Sequence, residues 1–147
     1  YIGVISAVSH GVIGPKLIEK YSPINVAIFS SVGLMLSMVM LPFCSMIPNV
    51  NFIDQGLISL LGVLGLLAVS NACFHVALST LISFAASEDA QGVSFGIFQS
   101  SGSLGRTMGP PLMAVLYTVA IWSPFIVGAI VFIPLIVVLA KLPYNKG

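Results

Sequence analysis

The sequence predicts an all-α integral membrane protein, and three observations carry that prediction. Of its residues, 58% are hydrophobic and only 6% charged, with a mean hydropathy of +1.12. Soluble domains carry about a quarter charged residues, so this chain cannot cover a water-facing surface. The apolar runs are long and unbroken rather than alternating, which excludes the strands of a closed barrel, the other architecture able to span a bilayer. Turn chemistry separates the runs, at Ser22-Pro23, Pro48-Asn49, Ser87-Glu88-Asp89 and Ser123-Pro124.

A spanning helix needs about 20 apolar residues. Five such helices are expected, at about 1–15, 24–47, 56–83, 88–119 and 124–141. The first is short and opens directly in apolar sequence, YIGVISAVSH, so the chain is expected to be the C-terminal piece of a longer protein. Ser87 is placed as an N-cap, with Glu88 and Asp89 in the first turn where the helix dipole favours them. Lys16 and Lys20 in the first loop, and Lys141 and Lys146 in the tail, fall on one side of a five-span topology. The positive-inside rule makes that side, and the C-terminus, cytoplasmic. Trp122 and Tyr117 mark the outer interface, Tyr21 and Tyr144 the inner one.

Polarity sorts the helices. The second and fifth carry scattered Ser and Gly among aliphatic residues and are expected to face lipid. The first (Ser6, Ser9, His10), third (Asn71, His75, Ser79) and fourth (Gln99, Ser103, Arg106, Thr107) carry the polar groups, which in membranes turn toward a bundle interior or a watery cavity. Asn71, His75 and Ser79 recur every four residues on one face, and Gln99, Ser103, Arg106 and Pro110 make a second stripe. Gly92 with Gly96, and Gly105 with Gly109, are small-xxx-small pairs that let backbones approach in lipid. Gly109-Pro110 is placed as a kink or break.

Arg106 is the one charge set deep in an apolar segment, and no Asp or Glu falls inside any span beyond the Glu88-Asp89 pair at the start of the fourth. Its partner is a carboxylate elsewhere in the protein, an anionic solute, a backbone carbonyl or water; it either fixes helices together, binds solute or gates proton flow. His10 and His75 are packing residues or proton relays. Asn71 and Gln99 hydrogen-bond a solute or glue helices. Cys44 and Cys73, in different helices, read as small apolar packing residues. No metal-ligand spacing, nucleophile–base pair or phosphate loop is present, so no metal, cofactor or enzymatic activity is expected. Five basic residues make no phosphate-binding face, so nucleic acid is not an expected partner.

Two stretches carry a resemblance to the major facilitator superfamily of secondary transporters, with this chain matching spans eight to twelve of twelve. HGVIGPKLIEKYSP resembles the C-half copy of that family's cytoplasmic loop signature, with Gly14, Leu17, Glu19 and Lys20 at the matching positions. It departs from the signature at Glu19, where the family has Asp, at Ser22, where it has Gly, and in lacking the second basic cluster. QGVSFGIFQSSGSLGRTMGPP is similar to the eleventh span of drug-proton-antiporter-like members, and its SGSLGRTMGP core to the lysosomal branch associated with neuronal ceroid lipofuscinosis. The resemblance implies a partial C-terminal six-helix bundle in the plasma or an endolysosomal membrane. It also implies an N-terminal transmembrane half as partner, with spans seven, eight, ten and eleven lining a path for a small molecule or ion. The expected function is secondary active transport by alternating access. An anion-conducting channel with Arg106 as its selectivity charge, and a non-transporting sensor or structural partner, are the alternatives.

Overall fold

A computed structural model describes residues 1–46 and 55–142, and all its regular structure is helical among them. A first rod is built from α1 (Ile2–Val8), a π-turn (Ser9–Ile13) and α2 (Gly14–Lys20). Then come α3 (Pro23–Met40) with a 3₁₀ extension (Leu41–Met46), α4 (Gln55–Ala85), α5 (Gln91–Val119) and α6 (Ser123–Lys141). Three helices are long and apolar enough to cross a membrane, at Pro23–Cys44, Gln55–Ala85 and Ser123–Lys141. The membrane class is thereby supported; α5 is long enough but too polar to join them on composition.

The first rod does not end at residue 15. Pro15 has no N–H to give the Gly11 carbonyl, and its ring crowds that position. The π-turn moves the bonding along by one residue, with the Gly14 N–H donating to the Ser9 carbonyl, and helix continues to Lys20. Gly14, Leu17, Glu19 and Lys20 therefore lie on a helix, not in a loop, and the loop shrinks to Tyr21-Ser22. Ser22 caps α3, its Oγ accepting from the Asn25 N–H at 3.5 Å, with Pro23 at the first helical position where its missing donor costs nothing.

Two further expectations hold only in part: Ser87 stands at an N-cap position with Glu88 and Asp89 in the first turn, and the Gly109-Pro110 break is not made. Ser87 makes no side-chain cap; its carbonyl accepts from the Ala90 N–H at 2.9 Å, and Glu88 and Asp89 sit in a 3₁₀ turn. Gly109-Pro110-Pro111 does not break α5, which runs on to Val119. The prolines remove only the donors to the Arg106 and Thr107 carbonyls, a loss one long helix tolerates. The loop at 48–54, with Tyr144 and Lys146, lies outside the described residues.

The largest correction concerns α3, expected to face lipid. It packs between α4 and α6, with Val26, Ala27, Cys73, Ala77 and Leu139 as the buried core, while its Phe29, Leu36 and Met40 stay exposed. The reason is side-chain size. Ala27 and Ala77 are 0% exposed, and Gly33 faces Ser70 so closely that a Cβ there would strike the Ser70 hydroxyl. Small residues let two helices approach, which drives association where the hydrophobic effect is absent. Ser31 and Ser37 are buried at little cost because each hydroxyl donates to its own helix, to the Ala27 and Gly33 carbonyls at 2.8 Å.

Contacts fix the direction of every rod. Ser70 meets Gly33 while the later Cys73 and Ala77 share one core cluster with the earlier Val26 and Ala27, so α4 runs against α3. Met38 meets Gly128 while the later Leu139 joins the cluster of the earlier Val26 and Ala27, so α6 also runs against α3. Tyr1 donates to the Leu61 carbonyl at 3.0 Å and Gly14 lies on Val76, so the first rod runs alongside α4 in the same direction. Gln91 reaches the Ser83 carbonyl at 3.5 Å and Phe98 meets the His75 ring, so α5 runs back against α4. Lys16, Glu19, Lys20, Glu88, Asp89 and Lys141 consequently gather at one end. Arg106 stands apart from them.

Candidate functional site

The π-turn, α4 and α5 enclose a cleft of about 720 Å³. The first rod contributes His10. One face of α4 contributes Asn71, His75, Val76, Ser79, Thr80, Ser83 and Phe84, and α5 contributes Phe98, Gln99 and Arg106. Helical geometry accounts for the α4 wall: positions 71, 75, 79 and 83 repeat every four residues, with 76, 80 and 84 beside them. At about 1.5 Å per residue that wall is about 20 Å tall. It runs from the middle of α4 to its charged end.

Five of the six expected path residues meet in this space: His10, Asn71, His75, Gln99 and Arg106 line it, while Ser103 is exposed on α5 outside the lining. The His10 and His75 ring centroids are 6.4 Å apart and tilted by 31°. Phe98 stands edge-on to His75 at 6.2 Å, and Phe74 does so at 6.4 Å. His10 Nδ1 lies 3.0 Å from the Ser6 carbonyl. A carbonyl only accepts, so in that bond Nδ1 carries the proton and Nε2 holds the lone pair. Thr80 turns its hydroxyl onto the Val76 carbonyl at 2.9 Å, which leaves the Oγ lone pairs on the cleft side available as acceptors.

Arg106 makes no hydrogen bond or ion pair with the described residues; its guanidinium lies back over Gly102, within 3.6 Å of where a Cβ would stand. Glycine at 102 is what gives the long side chain room along its own helix. The Arg106 and Thr107 carbonyls lack their usual donors because residues 110 and 111 are proline, so polar backbone collects at the level of the charge.

The remaining expectations sort as follows. Gly92, Gly96, Gly105 and Gly109 have nothing within 4 Å of an added Cβ, and no residue of α5 is buried. At none of the four positions would an added Cβ meet another described residue. Gly14 is a packing residue, since a Cβ there would lie 3.1 Å from a Val76 methyl. Leu17 packs against the core; Glu19 and Lys20 are exposed and form no ion pair among the described residues, Lys20 lying 5.6 Å over the Tyr21 ring instead. Cys44 and Cys73 are free and buried. What hydropathy did not reveal is Phe98, Val76 and Phe84 as the apolar part of the wall; their place one residue from the polar stripes was the available signal.

No protein-family model, curated protein or solved structure matches the chain. The site is therefore read from its own geometry.

Proposed function

We propose that this chain belongs to a secondary transporter of the major facilitator type and supplies part of one half of it. In this reading a small solute moves by alternating access, and the cleft between the π-turn, α4 and α5 is one wall of its path. The observation that carries the reading is the gathering of His10, Asn71, His75, Gln99 and Arg106 around one cleft in a chain of which only 6% is charged. Intramembrane ionisable groups are costly and mark solute or ion pathways. Substrate sites in such transporters lie near the bilayer midplane between repeats, and the cleft begins at the middle of α4.

Helix direction supports five crossings. Because α4 ends at the level where α3 begins, and α6 starts at the level where α3 ends, α5 has to carry the chain back across the apolar thickness. Its 29 residues reach about 43 Å, enough to do so. The first rod runs beside α4 over the same depth. With Lys16, Lys20 and Lys141 at one end, that end is cytoplasmic.

Reconstituted flux tests the function. The full-length protein is expected to carry solute saturably and in proportion to an ion or exchange gradient, with Arg106→Ala lowering flux at least tenfold. The chain of residues 1–147 alone is expected to carry none. Single-channel currents lost in Arg106→Ala, with no gradient-coupled exchange, would replace the transporter reading by a pore.

A further inference from the structure

The cleft is lined by ionisable groups of one sign. His10, His75 and Arg106 reach it from three helical segments, and no carboxylate is among its lining residues. The charged groups of α2 (Lys16, Glu19, Lys20) and of the α4–α5 turn (Glu88, Asp89) lie outside the lining, so the histidine pair faces only Arg106. A guanidinium keeps its charge at any working pH. Arg106 is exposed and has neither hydrogen bond nor ion pair among the described residues, so its guanidinium is free to meet an anion that enters the cleft.

The two imidazoles line one cleft. His10 is anchored through Nδ1 on the Ser6 carbonyl, so Nε2 is the ring nitrogen with its lone pair left open. His75 stands 6.4 Å away. Charging either ring beside Arg106 places like charges together, and an anion bound between them removes that penalty. Phe98, edge-on to His75, and Phe84, 72% exposed, supply apolar surface in the same cleft.

Building on the transporter reading, we propose that the solute is a small organic carboxylate taken up together with one proton. Its oxygens meet the planar fork of Arg106, its apolar body lies on Phe84 and Phe98, and the His10–His75 pair holds the proton in the loaded cleft. One proton leaves solvent for each anion bound.

Benzoate is the probe and benzamide its uncharged counterpart. Affinity is read from the thermal shift of the full-length protein in detergent at about pH 5.5 and about pH 7.5, on either side of the ordinary imidazole range. Benzoate affinity is expected to fall by up to about tenfold per pH unit as the pair loses its proton. Benzamide is expected to bind at least tenfold more weakly, without pH dependence. Joint His10→Gln and His75→Gln substitution flattens the profile; Arg106→Gln abolishes benzoate binding at both pH values, whereas Arg106→Lys weakens it and keeps the slope. Equal benzoate affinity at both pH values, benzamide binding as well as benzoate, or no benzoate shift at all overturns the proposal, and these outcomes need no variant. Failure of the transporter reading is distinguishable. Benzoate bound with this pH dependence but never carried into vesicles removes transport and leaves the site, whereas saturable flux of an uncharged solute without benzoate binding does the reverse.

Discussion

Hydroxyl groups buried in this chain divide by whether they find a carbonyl. Ser31 and Ser37 donate to the residue four positions back, at 2.8 Å in both cases. Ser9 does not. Its side chain is 0% exposed and its Oγ has no hydrogen-bond partner among the described residues, at the start of the π-turn where the regular ladder shifts. Removing an unsatisfied buried hydroxyl relieves its desolvation, so Ser9→Ala is expected to raise stability by about 1 kcal/mol. The midpoint of thermal unfolding in detergent checks it; a drop of similar size would mean that Ser9 holds a bond the α4 side of the turn depends on. Arg106 and the two histidines were legible in the sequence as residue types out of place in lipid. That the His10 and His75 rings come within 6.4 Å of each other was not legible, because depth counted along straight helices says nothing of how helices rotate about their axes.

At the scale of the element, α3 is more buried than hydropathy suggested, while α5 keeps its place on the cleft. The glycine-rich α5 buries no residue among those described, while the plain-looking α3 holds the core. Two substitutions separate these environments. Gly33→Val on α3 is expected to cost about 1–3 kcal/mol by forcing α4 outward at Ser70. Gly105→Ala on α5, where an added Cβ meets nothing, is expected to lose nothing and to gain up to about 1 kcal/mol of helix propensity. Unfolding midpoints of residues 1–147 carrying each change decide the matter, and the reverse order would overturn the packing described above. The π-turn belongs to this scale as well. Pro15 announced a disturbance near the end of the first helix; that the disturbance is a wider turn followed by more helix depends on α4, whose Val76 packs on Gly14.

For the whole molecule, the alternating direction of the rods makes a topological prediction. In a background of Cys44→Ala and Cys73→Ala, Ser22→Cys and Ser87→Cys are expected to react with a membrane-impermeant maleimide from one side of the bilayer, and Ile121→Cys from the other. Ile121→Cys reacting from the same side as Ser87→Cys would mean that α5 does not cross, and the five-span arrangement would fall. The sequence alone determined that the chain is helical, suited to a bilayer, and turned near Ser22, Ser87 and Ser123. Those properties follow from local matching of residue to solvent and of backbone to turn. Only the tertiary structure decided which helix packs between two others and which polar faces share a cleft. In lipid no hydrophobic force sorts one apolar helix from another, so the choice falls to the fit of small side chains. Ala27, Gly33, Ser70 and Ala77 make that fit between α3 and α4, and so leave His10, His75 and Arg106 facing one another around open space.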